Sequence, residues 1–150
     1  MFRQTNSAAA LRTVFLLALA AFTLTACGGI DRSLPEDPIA FYTNTFANPA
    51  DAEDTYASIE YDGRTYIPYG TLKNRIAGKD VGPCLGYVVQ DGVPMEDVRV
   101  FPLTADPENN FLMETTEGFM DQPFFLRAVD TRGKEILVPG YIDSLSYDFW

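Results

Sequence analysis

Tyr56-Ala57-Ser58-Ile59-Glu60-Tyr61-Asp62-Gly63-Arg64-Thr65-Tyr66-Ile67-Pro68-Tyr69 holds two short strand-forming runs around one Asp-Gly pair. Ala57, Ile59 and Tyr61 alternate with Ser58 and Glu60, which gives the first run one apolar face. Asp and Gly both tolerate the positive φ that a two-residue hairpin turn demands, so Asp62-Gly63 predicts a hairpin. Pro68 has no N–H to give to a ladder and predicts that the second strand is an edge or ends there.

Further along, Thr71–Ala77 predicts one short helix. Thr71 can cap it, Leu72 and Ile76 share a face, and Gly78 stops it. Cys84–Gln90 reads as a buried strand, and Asp91-Gly92 as a second tight turn. Val98–Leu103, Phe111–Thr115 and Phe124–Asp130 read as strands. Thr131–Lys134 is a turn leading to Glu135–Val138, and Leu145–Trp150 alternates as a final strand. Glu117–Pro123 is irregular or briefly helical. The ten prolines interrupt any long helix. About seven short strands at regular spacing predict a mainly β fold, a small antiparallel sandwich or barrel with one short helix.

Toward the N-terminus the pattern weakens. In Ile39–Thr55, Phe41, Tyr42 and Phe46 ask for burial while Asn48–Asp51 reads as a turn. That stretch reads as the end of a tether carrying an aromatic plug. Gly28–Pro38 holds two glycines, two prolines and four charges, and extended it reaches at most about 38 Å. Before it, Met1–Thr13 carries Arg3 and Arg12 without an acid, and Val14–Leu24 is almost wholly apolar. Small residues follow, the layout of a secretory signal. Leu24-Thr25-Ala26-Cys27 resembles the lipobox of bacterial lipoproteins. That resemblance implies a diacylglyceryl group on the Cys27 sulfur, cleavage between Ala26 and Cys27, and further acylation by a fatty acid such as palmitate. Two acyl chains anchor a protein stably at about 0.8 kcal/mol per buried methylene. The expected organisation is a signal peptide over 1–26, a lipidated cysteine and tether over 27–55, and a β-rich extracytoplasmic domain over 56–150.

Charge and cysteine usage narrow the function. With the signal removed, nine basic residues stand against 21 acids. Such a surface does not suit nucleic acid, whose phosphates need clustered Lys and Arg. It does not suit docking on anionic lipid through a basic patch either. With Cys27 acylated, Cys84 is the only remaining thiol, so no intrachain disulfide is expected and stability must come from the core. All eight Tyr and the single Trp lie beyond Ala26 and supply large side chains for it. The chain contains no His. That removes Ser-His-Asp and Cys-His catalysis and the common zinc, haem and copper geometries, so no metal and no cofactor is expected.

Several residues remain as candidates. Cys84 sits inside an apolar run and reads as a small buried hydrophobe. Glu60, Asp62, Asp130 and Asp143 are acids from which a hydrolase pair could come, and a solvated surface is their simpler reading. Asp51–Asp54 and Asp106–Asn109 lack the spacing of a calcium loop. Tyr61, Tyr66, Tyr69 and Tyr87 are the candidate binding surface, able to stack on sugar rings or pack a peptide if they share an exposed face. Their alternation also suits half-buried core. Phe119-Met120 and Phe124-Phe125 either present a partner-binding knob or close one end of the core.

Two resemblances bear on the body. Ile59–Ala77, IEYDGRTYIPYGTLKNRIA, resembles the hairpin-then-helix unit of copper amine oxidase N-terminal-like domains, non-catalytic modules in bacterial surface proteins. Tyr56–Trp150 resembles small uncharacterised lipoproteins of gut Firmicutes, through YIPYGTL, the run into Cys84-Leu85-Gly86-Tyr87, and the terminal Ser-Leu-Ser-Tyr-Asp-Phe-Trp. The expectation is a non-catalytic binding module, lipid-anchored on the extracytoplasmic side of the cell membrane. Its partner is an envelope protein, a peptide or a wall component. The alternatives are an acid-only hydrolase with paired carboxylates and a purely structural envelope protein.

Overall fold

The computed structural model describes residues 29–117 and 122–150. The signal segment, the Ala26-Cys27 cleavage position with its lipidation site, and Phe119-Met120 lie outside the described residues. Among the described residues, no helix is long and apolar enough to cross a membrane.

The described residues form nine strands: β1 (Ile39–Tyr42), β2 (Asn44–Asn48), β3 (Asp51–Tyr61), β4 (Arg64–Leu72), β5 (Gly86–Gln90), β6 (Val93–Pro102), β7 (Phe111–Thr116), β8 (Phe124–Ala128) and β9 (Ile142–Ser144). They lie in the order β1-β5-β6-β7-β8-β4-β3-β2, with β9 also beside β4. All pairings are antiparallel except β1 with β5. The fold is mainly β, as its sequence predicts, and the sheet curls into a half-barrel.

Its two ends are joined by one piece of chain. β1 pairs with β5 at one end of the order, β2 pairs with β3 at the other, and only Thr43 separates them. The Thr43 N–H donates to the Val89 carbonyl at 2.9 Å, so the segment holds β5 until it crosses to β3. At Gly86 the approach of β1 is so close that a Cβ would overlap the Ile39 carbonyl. Ile39–Thr55 is therefore not a tether ending in a plug. It supplies β1, β2 and the start of β3, and the sheet begins at Ile39 rather than Tyr56. Phe41 is buried as expected, but from within a strand.

Local chemistry explains the turns. Asp62 and Gly63 have φ of 49° and 72°, and Asp91 and Gly92 have 51° and 77°, the left-handed pair that tight hairpins require. Tyr61–Arg64 and Gln90–Val93 close the two hairpins.

Alternation along each strand sends side chains to two cores. Inside the curl lie Phe41, Ile59, Tyr66, Val88, Val98, Val100, Leu112, Leu126 and Ala128. On the outer face lie Tyr69, Phe101, Phe111, Met113, Phe125 and Ile142. That layer meets a smaller aromatic group of Tyr56, Ile67 and Phe149. Leu112 faces one core while its neighbours Phe111 and Met113 face the other, the period of two that a sheet covered on both faces needs. The final residues seal the outer face. Trp150 packs against Tyr69 at 5.6 Å and Phe149 at 4.9 Å between ring centroids, and its Nε1 donates to the Pro68 carbonyl at 2.8 Å.

Four local expectations are corrected. Thr71–Ala77 is not helical: Thr71 and Leu72 extend β4 by pairing with Asp143 and Ile142 of β9. Two turns of helix are marginal alone, and sheet pairing supplies the backbone bonds instead. Leu72 and Ile76 still pack on the outer core, and among the described residues helical geometry is confined to short 3₁₀ turns at Gly78–Asp80 and Val129–Thr131. β4 is not an edge strand, because it lies between β3 and β8, but its ladder with β3 ends at Tyr66, so Pro68 pairs with β8 alone, next to a bulge between Pro68 and Gly70. Glu135–Val138 and Leu145–Trp150 are not strands, and the last strand is β9. Finally, the stretch read as a free tether is held to the sheet. Arg32 donates to the Thr115 hydroxyl at 3.3 Å and to the Thr115 carbonyl at 3.2 Å, and Ile30 packs on the outer core.

Candidate functional site

The four tyrosines do not form a shared exposed face. Tyr66 is 0% exposed inside the half-barrel. Its hydroxyl donates to the Asn109 carbonyl at 2.6 Å, and burial pushes its pKa up to about 12. Tyr69 is buried in the outer core between Phe111 and Trp150. Tyr61 is half-buried beside Phe41. Tyr87 is half-buried and borders a groove with Leu34, Pro94, Glu96 and Arg99. The alternation that made them conspicuous belongs to a sheet packed on both faces. Phe125 is buried as well, and Phe124 is half-buried.

Cys84 is 7% exposed, its thiol lies 3.6 Å from the Gly86 carbonyl, and burial pushes its pKa up. A thiol kept protonated in an apolar setting is a poor nucleophile.

Several acids already serve the fold. Asp54 Oδ2 accepts from Asn48 Nδ2 at 2.9 Å and from the Tyr56 hydroxyl at 2.8 Å. Asp106 accepts from the Phe111 N–H at 2.6 Å and from Asn110 Nδ2 at 3.2 Å. Asp130 pairs with Arg64 at 2.9 Å, while Glu60, Asp62 and Asp143 are exposed. Among the described residues, no group of three or more His, Cys, Asp or Glu is arranged to hold a metal ion.

One acid is treated differently. At one end of the half-barrel a cavity of about 220 Å³ opens where the chain crosses from β5 to β3. Ile59, Val88, Leu126 and Phe124 give it an apolar wall; Thr43, Ser58 and Gln90 add polar atoms, and Ala57 and Pro68 complete it. Among the described residues, Glu114 of β7 is the only charged residue in the lining. Strand alternation puts it there: Leu112 faces the interior core, and Glu114 occupies the next inward position. It pairs with Val100 on β6 and Phe124 on β8. Burial pushes the Glu114 carboxyl above its ordinary value, and among the described residues no opposing charge or hydrogen bond pulls it back. Among the described residues, no ion pair reaches it.

Comparison with known protein families, with characterised proteins and with solved structures returns no match. No match supports the resemblances expected over Ile59–Ala77 and Tyr56–Trp150.

The chemistry of the cavity is specific. Protonated, Glu114 offers one hydroxyl donor to a ligand in an apolar chamber. Ionised, it is a charge without a counter-ion in a low-dielectric wall, and a bound cation would relieve it. Sequence reading passed over Glu114 as an ordinary member of the Phe111–Thr115 strand. The available signal was its parity with Leu112: a charge on the apolar face of an alternating strand.

Proposed function

We propose that the chain is an extracytoplasmic lipoprotein, anchored through acylated Cys27, whose half-barrel binds a ligand in the cavity over Glu114. The cavity with its single carboxyl carries this reading. A half-buried acid without a partner among the described residues adds nothing to the stability of a folded domain, and one beside an accessible pocket is a mark of a binding site. The anchor is supported by the apolar run Val14–Leu24 and by Leu24-Thr25-Ala26-Cys27. With Arg32 held on β7, the stretch from Cys27 to Arg32 spans at most about 18 Å. The body then rides close to the bilayer, near envelope proteins, peptides or wall components as partners.

Binding is favoured over acid-only hydrolysis by the lining of the cavity. Glycoside hydrolysis by carboxylates needs two of them across the scissile bond, and Glu114 is the one acid among the described residues of the lining. A purely structural envelope protein gives no reason for the chamber.

Both parts are open to test. Cys27→Ser should abolish labelling by radioactive palmitate in cells, and persistent labelling would contradict the anchor. Amide NMR of the full chain in detergent micelles, screened with small polar and apolar fragments, should show shifts concentrated on Thr43, Val88, Gln90 and Glu114. A screen in which no fragment moves those residues would contradict a ligand cavity.

A further inference from the structure

Resting on the binding reading above, we infer that the cavity selects a primary ammonium group on a short alkyl chain, with Glu114 as its counter-ion. The wall supplies both halves of that recognition. Ile59, Val88 and Leu126 remove methylene groups from water, and the Glu114 carboxylate takes the charge. The Thr43 and Gln90 side-chain oxygens, in the same lining, can accept further N–H bonds. A neutral apolar ligand would bury Glu114 further without a partner, and an anion would be repelled. At about 220 Å³ the chamber is smaller than the roughly 300–1,000 Å³ of drug-sized sites, which suits an aliphatic amine over a ring system. A net charge of −10 on the full chain raises the local concentration of cations.

Glu114 also sets the pH dependence. Among the described residues, Val100 of β6 and Phe124 of β8 pair with it, Val88 and Gln90 of β5, Ile59 of β3 and Pro68 of β4 share the lining with it, and none of these titrates. An ammonium ligand favours the carboxylate, so affinity should climb as pH rises through the Glu114 titration. It should stay level until the amine itself deprotonates near its ordinary value of about 10.4.

The source of the ammonium is either a free amine or a lysine side chain, and separate probes distinguish them. The full chain in detergent micelles is titrated with n-butylammonium, 1-butanol, butanoate and N-acetyl-lysine methylamide at pH 5 and pH 7.5, with amide shifts as the readout. Butylammonium should bind saturably at the cavity residues, more tightly at pH 7.5. Glu114→Gln should weaken it roughly tenfold, the loss expected for one charge-assisted hydrogen bond, while keeping the dispersed spectrum of a folded chain. Binding of the lysine amide beside butylammonium supports a peptide side chain as the ligand, and binding of butylammonium alone supports a free amine. Butanol binding as tightly as butylammonium, or Glu114→Gln leaving butylammonium affinity unchanged, overturns the ammonium inference and leaves a ligand cavity standing. No shift at the cavity with any probe overturns both.

Discussion

The outer face of the sheet and the open end of the half-barrel each place a charged side chain among apolar neighbours, and they treat it in opposite ways. On the outer face, Arg127 is 9% exposed. Its Nε donates to the Thr131 hydroxyl at 2.8 Å, and its terminal nitrogen donates to the Thr131 carbonyl at 2.9 Å. Its guanidinium lies over the rings of Trp150 at 4.7 Å, Tyr69 at 5.2 Å and Phe111 at 5.9 Å. Aromatic faces and two acceptors thus replace water around a cation that has no acidic partner among the described residues. At the open end, Glu114 has an apolar wall and an empty space beside it. A charge packed against rings and bonded to acceptors belongs to the fold. One with an apolar wall and open space beside it is available to a ligand.

The aromatic seal should be the more expensive region to disturb. Phe149→Ala removes a ring that meets Phe46 and Trp150 edge-on and lies under the Arg132 guanidinium at 4.4 Å. A loss of about 3–5 kcal/mol in urea unfolding is expected, the range for a buried Phe. A loss below about 1 kcal/mol would mean that the end of the chain adds little to the outer core.

Thr131→Val comes next. It keeps the shape at Thr131 but leaves Arg127 Nε without its acceptor, so a cost of about 1–3 kcal/mol is expected. An unchanged unfolding midpoint would show that the rings and the Thr131 carbonyl hold the guanidinium without the hydroxyl, and the contrast with Glu114 would weaken.

Glu114→Gln should move stability the other way. Burial raises the Glu114 pKa, so the folded chain holds that proton more tightly than the unfolded chain does. Its favourable contribution is full below the ordinary glutamate range and is lost as pH rises through the folded value. Glutamine is unaffected by pH, so the variant should gain over the parent at pH 7.5, and the gain should shrink toward pH 4. A gain that grows as pH falls would reverse the account of this residue.

Tyr141→Phe should have the smallest effect. The Tyr141 hydroxyl is buried with no hydrogen-bond partner among the described residues, and burial pushes its pKa up to about 12. Its removal should be neutral or stabilising, within about 1 kcal/mol. A clear destabilisation would reveal a partner for that oxygen.

What was legible in the sequence follows the range of the interactions. Asp62-Gly63 and Asp91-Gly92 announce their turns because positive φ is a property of those residues themselves. The overall β character follows from alternation, which is equally local. The closing segment was not legible: Ile39–Tyr42 pairs in parallel with Gly86–Gln90, far along the chain, and nothing in Phe41 or Tyr42 names that partner. Thr71–Ala77 carries genuine helix signals, but a neighbouring strand offers Thr71 and Leu72 better backbone partners. The tyrosines were visible as a set and misleading as a surface, because the C-terminal residues that cover Tyr69 arrive from the far end of the chain. Glu114 was half legible: its inward parity could be read from Phe111–Thr115, but the chamber beside it arises only where the chain crosses at Thr43.

The central claim is that Glu114 is an unpaired carboxyl facing a ligand chamber. Its most direct test is the pH titration of the Glu114 side-chain carboxyl by ¹³C NMR on the full chain, assigned against Glu114→Gln. The account predicts a midpoint above the ordinary glutamate value of about 4.3, falling when n-butylammonium is added. A midpoint at or below the ordinary value without ligand would mean that water or a partner already satisfies the carboxyl, and would contradict the account.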